Sequence, residues 1–363
     1  MIDIQRPLAE IVDATADWLT AVLAAGGYLT SGAVSTVAFD SDKSANARNG
    51  RLLLSYTDDA DGPDPLPTRL FLKLVDSDAV STFGDSEVEY YTVITRDMHP
   101  SPAPHCYHAA SSKSPDRYHL LLEDLSESHV PCWDRAPTWD DAALTVDMIA
   151  DLHAHWWDSP DLASSIGRWP TVDVVERSVD QARRGLQPMF DAAGSSLAAA
   201  DQDLIRRILA THPSMMMRRG AVGKSLTCIH GDLNPGNILI PREGQGGRAY
   251  LIDRQPFDWS LTTWLGASDL AYMMVHWWEP ETRRALEARL LVRYHARLLS
   301  LRVTDYSIED LWSDYRLSAM QSLYVAAGWC ADPVEVVDFA WVWKVQLRRT
   351  MESLVDLRCE ELL

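Results

Sequence analysis

The chain has 363 residues, 33 of them Lys or Arg and 52 Asp or Glu, for a formal net charge of −19. So acidic a balance argues against a basic face for nucleic acid or an anionic membrane, and 47% hydrophobic content argues against a mainly disordered chain. Length predicts about two domains.

The first predicted element is a helix: Leu8, Ile11, Val12, Leu19, Val22 and Leu23 recur at helical spacing, with Pro7 to start it and Gly26-Gly27 to end it. Short β-rich runs follow at 34–39, 51–56 and 69–75, separated by turn-forming stretches. Residues 84–96 read as a helix with Glu87 and Tyr91 on one face, and strands are expected at 106–110 and 117–124. Beyond Leu125 the texture is helical. Ala143, Val146, Ile149 and Leu152 form one stripe within 139–158, and 172–209 continues as helix broken at Gly194. A strand pair is expected at 226–229 and 237–253, and helical spacing resumes from Ser268 to the end. The organisation predicted is a β-rich N-terminal lobe, 1–123, and a larger, mostly helical C-terminal lobe, 124–363. Five scattered cysteines without a C-x-x-C pair fit a reducing compartment. No basic segment followed by an apolar core opens the chain, and no apolar run reaches spanning length. A cytoplasmic protein with no membrane partner is expected.

The chemistry concentrates in Ile229-His230-Gly231-Asp232-Leu233-Asn234-Pro235-Gly236-Asn237-Ile238-Leu239-Ile240, with Leu251-Ile252-Asp253 following on an apolar run. Pro235 and Gly236 turn the chain so that the Asp232 carboxylate and the Asn237 amide share one space. Asp253 arrives sixteen residues after Asn237. A carboxylate and an amide oxygen are hard ligands of the kind that hold Mg²⁺ jointly with substrate phosphates. That leaves Asp232 to orient or deprotonate an attacking hydroxyl. Clusters of Asp, Asn, Pro and Gly are mostly plain turns, but a plain turn does not account for the second acid at this interval.

The segment resembles the aminoglycoside phosphotransferase/choline kinase superfamily of small-molecule kinases, whose loop reads close to H-G-D-x-x-x-x-N. With E-V-E-Y-Y at 87–91 and L-E-D-L at 122–125, it looks most like the ecdysteroid-kinase-like branch. The resemblance implies an α+β, bilobal protein-kinase-like fold and transfer of the γ-phosphate of ATP, with Mg²⁺, to a hydroxyl of a small molecule. It implies that Lys73, inside the apolar strand Arg69-Leu70-Phe71-Leu72-Lys73-Leu74-Val75, holds nucleotide phosphates and pairs with Glu87, or failing that Glu89. Asp232 is then the catalytic acid–base, and Asn237 and Asp253 the metal ligands. Glu123 and Leu125 lie where backbone groups would meet the adenine, although the acidic pair Glu123-Asp124 could equally cap the next helix. The loop after the first strand has no G-x-G-x-x-G. Ser44, Ala45 and Asn46 either offer backbone N–H groups to phosphate or form an ordinary polar turn. Asp269 resembles a family aspartate that braces the catalytic turn. Arg254 stands where an aromatic residue is common, and Gln255 and Asp258 line the next turn. No long activation segment follows Asp253, which disfavours a protein substrate. Among fourteen tryptophans, Trp156, Trp157, Trp277, Trp278, Trp341 and Trp343 lie in the lobe expected to bind the acceptor, although at helical spacing most should be core. Asp158 and Glu279 are candidate receivers of a cationic acceptor, or simply a solvated face. The alternative function is a nucleotide-binding pseudokinase acting as scaffold or sensor.

Overall fold

In the computed structural model, which describes residues 2–43, 48–76, 84–114, 116–164, 166–257 and 260–363, the β-rich runs become one antiparallel sheet. Its strands are β1 (Val34–Lys43), β2 (Arg48–Tyr56), β3 (Arg69–Val75), β4 (Cys106–Lys113) and β5 (Asp116–Glu123), in the order β1-β2-β3-β5-β4. Side chains alternate across a strand. Leu70, Leu72 and Leu74 therefore share one face of β3, where they pack with Leu52, Leu121 and the helix residues Trp18, Leu19, Val22 and Leu23. Lys73 points to the other face, opposite Asn49 of β2 and Leu120 of β5.

The N-terminal helix is shorter than its apolar spacing suggests, spanning Ala16–Ala25. Leu8 is drawn away by its N–H, which donates to His119 Nδ1 at 3.0 Å. The 3₁₀ turn Ile11–Asp13 closes on its own, with the Asp13 carboxylate accepting the Glu10 N–H, and Thr15 then caps the helix. Gly26 and Gly27 end it, Gly27 at φ 76°. This sheet and helix belong to a unit made of residues 1–130, 241–246 and 250–258; the second unit holds 131–240, 247–249 and 259–363. Asp253 thus shares a unit with Lys73, although it follows Asp232 in sequence.

The second unit is built from helices Trp139–Trp156, Val172–Ala193, Ala199–Ala221, Pro280–Ser300, Ile308–Gly328 and Ala340–Asp356. The stripe Ala143, Val146, Ile149 and Leu152 is buried, and the break at Gly194 falls where the sequence puts it, at φ 54°. Gly185 permits a helix crossing: a Cβ there would sit 1.7 Å from the Ala327 carbonyl oxygen. The strand pairing differs from expectation. Thr227–Cys228 pairs with Thr263–Trp264, not with the 237–253 segment. Strands of two residues carry no periodicity, so only tertiary pairing reveals them. Among the described residues, no helix is long and apolar enough to cross a membrane.

Three buried histidines are held neutral by burial. His119 and His276 are lowered to about 3 and His212 to about 4. His212 is fully served in that state, with Nε2 donating to the Leu317 carbonyl and Nδ1 accepting from the Tyr324 hydroxyl, both at 2.8 Å. A histidine with a lowered folded pKa binds fewer protons than its unfolded counterpart once pH drops below about 6.5. Stability should therefore fall between pH 7 and pH 5, by about 2 kcal/mol for each such histidine. Urea denaturation at the two pH values measures this. The variant His212→Gln should flatten the dependence by one such increment, and an unaltered slope would remove His212 from the account.

Candidate active site

In the first unit, β3 carries Lys73 into a cluster of acids. Its Nζ lies 2.8 Å from Glu87 Oε2, 2.9 Å from Glu87 Oε1 and 2.7 Å from Asp253 Oδ1. The two carboxylates differ in setting. Glu87, on the short helix Ser86–Glu89, is fully buried and also accepts the Tyr118 hydroxyl at 2.8 Å and Gln255 Nε2 at 3.3 Å. The Asp253 side chain is 42% exposed, and its backbone is left-handed at φ 61°. A non-glycine residue in that region costs energy and is commonest at functional positions. Burial works against the Lys73 charge, but Glu87 and Asp253 outweigh it and push the ammonium above its ordinary value. Burial raises the Glu87 carboxyl in turn, with Lys73 and Tyr118 holding it back.

In the second unit, Gly231 turns at φ 84° and delivers Asp232. Asp232 Oδ1 accepts the Tyr272 hydroxyl at 2.9 Å, while Oδ2 accepts Asn234 Nδ2 and Asn237 Nδ2, each at 3.1 Å. Asn237 Nδ2 also reaches the Asp232 carbonyl at 3.0 Å, so the amide commits its nitrogen to the turn and keeps its oxygen as a hard donor atom. Burial first and the Asp232 charge second hold the Tyr272 phenol well above its ordinary pKa, so it stays a donor. Beneath the turn, Asp269 accepts the N–H groups of His230 at 2.7 Å and Gly231 at 2.9 Å. His153 bonds the same carboxylate at 3.2 Å, and its other nitrogen meets the Tyr294 hydroxyl at 2.8 Å. Burial opposes the Asp269 charge, yet these bonds hold its carboxyl below the ordinary value. Gly266 makes the brace possible: a Cβ there would fall 2.3 Å from the Tyr294 hydroxyl oxygen.

Residues 89–304 match the sequence profile of the ecdysteroid kinase-like family. The chain belongs to that family. No curated protein sequence matches it. Among solved structures it is similar to choline kinase from Cryptosporidium parvum Iowa II, at 10% identity over 89% of this chain and 91% of that one, TM-score 0.57. A putative aminoglycoside phosphotransferase from Ralstonia eutropha JMP134 follows, at 14% identity over 94% and 97%, TM-score 0.56. A glucosamine kinase solved with glucosamine, ADP and inorganic phosphate is 17% identical over 97% and 84%, TM-score 0.54. These likenesses show the α+β, two-lobed protein-kinase-like fold of the small-molecule kinases. With its family, they class this ecdysteroid kinase-like chain as a phosphotransferase of the small-molecule kinase type.

The fold brings Lys73, Glu87 and Asp253 together in one unit and Asp232 and Asn237 together in the other. Glu87 is the acid that meets Lys73. In the segment 123–125, the Glu123 N–H donates to the His105 carbonyl, and the Leu125 carbonyl accepts the N–H groups of Ser128 and His129. Asp124 does not cap the next helix: Arg69 and the Ser126 N–H take its carboxylate, and Thr138 caps the helix Trp139–Trp156. Ser44, Ala45, Asn46 and Asp258 lie outside the described residues.

A cavity of about 510 Å³ opens in the second unit, with Pro235 of the Asp232–Asn237 turn in its wall. Trp277, Trp278 and Trp341 line it, whereas Trp156 and Trp343 are core. Glu279, a candidate for a cationic acceptor, lines it too, but Arg348 and Arg349 hold its carboxylate at 2.9 Å and 2.5 Å and lower its pKa. Sequence reasoning passes over Trp133. Its indole covers Gly236, where a Cβ would meet the ring at 2.3 Å, and it stands edge-on to Trp277. Tyr272 and Asn234 are also missed as partners of Asp232. Asn234 sits inside the motif, so its spacing of two from Asp232 was a usable signal.

Proposed function

We propose that this ecdysteroid kinase-like chain transfers the γ-phosphate of ATP to a hydroxyl of a small molecule. The observation that carries the reading is the state of Lys73, placed between a buried permanent partner, Glu87, and a strained, half-exposed one, Asp253. A purely structural ion pair has no need of the left-handed backbone at Asp253. Lys73, fixed by Glu87, is an anchor for nucleotide phosphate oxygens.

Asn237 in the second unit and Asp253 in the first each carry a hard oxygen atom of the kind that Mg²⁺ takes, one or two from protein, when phosphates complete its shell. The metal supplies charge neutralisation to the phosphates when bound. Asp232, oriented by Tyr272, Asn234 and Asn237, holds the acceptor hydroxyl and takes its proton. Backbone groups of Glu123 and Leu125 are the adenine contacts in this reading. We place the acceptor in the cavity beside the turn. The five free cysteines support a reducing, cytoplasmic setting, and the acidic balance speaks against a nucleic acid partner.

The test is ADP release from Mg·ATP with pools of hydroxylated small molecules, together with calorimetry of ATP binding. At least one pool should stimulate release. Asp253→Ala should bind ATP with the same affinity whether or not Mg²⁺ is present, while the wild type gains affinity from the metal. A variant that keeps the gain removes Asp253 as a ligand. Silence in every pool, with ATP still bound, would favour a nucleotide-binding scaffold.

A further inference from the structure

A carboxylate offers about four lone-pair sites, two on each oxygen. Among the described residues, Asp232 Oδ2 accepts the Asn234 and Asn237 amides, and Oδ1 accepts only the Tyr272 hydroxyl. One site is left, and it lies on Oδ1. An acceptor hydroxyl that gives its proton to Asp232 therefore does so beside the Tyr272 bond.

Tyr272 is itself held from behind. The segment Tyr272–Trp277 forms one π-helical turn. Residues five apart diverge by about 140° around an α-helix. The wider i→i+5 turn returns them to one side, and such turns are frequent at functional sites. Here it sets the Tyr272 and Trp277 rings edge to face, 6.4 Å apart and 64° inclined. The Trp277 ring lines the cavity, yet its N–H is buried and turned inward. The acceptor it meets is the Tyr272 oxygen, in a bond longer or more bent than an ordinary one. Catalytic hydrogen bonds are often loose before the substrate is seated. His276 stacks on the Tyr272 ring at 5.0 Å and 22°. The ring is thus fixed by His276, and its hydroxyl by Trp277 and Asp232. With the indole N–H at its oxygen, the phenol directs its own proton to Oδ1.

We propose that Trp277 is a positioning residue: its indole N–H holds the Tyr272 hydroxyl on Asp232 Oδ1, the oxygen that takes the acceptor's proton. In the transfer the acceptor O–H breaks and its proton passes to Oδ1. The acceptor oxygen bonds the γ-phosphorus, and ADP departs with the bridging oxygen. A molecule resting on the cavity face of Trp277 thereby bears on the carboxylate with which it reacts. The inference rests on the reading of Asp232 as the base in phosphoryl transfer, and it names what keeps that base aligned.

Two measurements test it, one of them without turnover. In protein labelled with ¹⁵N-tryptophan, Tyr272→Phe keeps the stacked ring and removes the phenol oxygen. The Trp277 indole proton should then move upfield and exchange faster with solvent; its resonance is identified by its loss in Trp277→Phe. A Tyr272→Phe spectrum with every indole proton in place overturns the proposal, and that comparison needs no tryptophan variant. The kinetic arm follows ADP release from Mg·ATP with the pool of hydroxylated molecules that stimulates it most. Tyr272→Phe should lower the maximal rate about thirtyfold, the worth of a hydrogen bond to a charged group. Trp277→Phe should lower it about fivefold, the worth of a neutral one, while the pool concentration at half-maximal rate stays near wild type. Added to Tyr272→Phe, it should cost nothing further, because the two act through one bond chain. Losses that multiply, or a Trp277→Phe effect confined to half-saturation, overturn the proposal and leave Trp277 a wall residue. Silence in every pool, with the indole shift present, counts against phosphoryl transfer and leaves the Trp277–Tyr272 link standing. Turnover without the indole shift does the reverse.

Discussion

Replacing Asp232 by asparagine should lower turnover about a thousandfold, within the range for loss of a general base, while nucleotide affinity and unfolding midpoint stay near wild type. Asparagine has the shape of aspartate but no basic oxygen. The turn can absorb it by rotating the amide. The carbonyl oxygen then faces the Asn234 and Asn237 nitrogens, which at present donate to Asp232 Oδ2 at 3.1 Å. The amide nitrogen faces Tyr272, whose hydroxyl can accept as well as donate. Asp232→Ala removes the side-chain bonds as well, so it should lose turnover and some stability together. Comparing the two variants separates proton acceptance from the fixing of the turn. A rate for Asp232→Asn within a few-fold of wild type would sink the assigned role, since the turn survives in that variant.

What the sequence discloses about this site depends on how far apart the cooperating residues lie. Asp232 and Asn237 are legible because one short turn must present both, and the spacing is written directly in the chain. Lys73 is legible for a different reason: a lone cation in an apolar strand demands an anion. The structure supplies two, Glu87 and Asp253. The brace from Asp269 to the N–H groups of His230 and Gly231 follows from family resemblance, but its continuation through His153 to Tyr294 does not. His153 reads as an ordinary helix residue until the helices Trp139–Trp156 and Pro280–Ser300 pack side by side. Trp133 is hidden for the same reason. On a short connecting turn, a tryptophan looks like any partly buried residue, and only packing shows that it faces a cavity. The early helix is misjudged because apolar spacing is blind to caps. The Asp13 and Thr15 side chains decide where that helix begins.

Lys73→Met should destabilise the protein by about 3–5 kcal/mol at neutral pH, the usual cost of breaking a buried ion pair by removing one partner. Asp253, with its carboxylate 42% exposed, turns to solvent when the ammonium is lost. Glu87 has no such escape. It is 1% exposed, and the Tyr118 hydroxyl and Gln255 amide remain its only named partners. The uncompensated carboxylate then rises further above its ordinary pKa, and the sign of the pH effect follows. A carboxyl raised in the folded state is destabilising above its unfolded pKa, where it must ionise or hold a proton against the solvent. That penalty fades as pH falls and the unfolded chain takes up the proton too. The deficit of Lys73→Met relative to wild type should therefore be largest at pH 7 and shrink toward pH 4. Glu87→Gln added to Lys73→Met should recover much of the loss, because glutamine keeps an oxygen for Tyr118 without the charge. Denaturant titration of the two single variants, the double variant and wild type closes the cycle. A double variant as unstable as the sum of the singles would show that Lys73 and Glu87 do not depend on each other. Recovery would show that the lysine's partner is chosen by burial. Glu87 would then be the fixed half of the pair, with Asp253 the half free to exchange for phosphate.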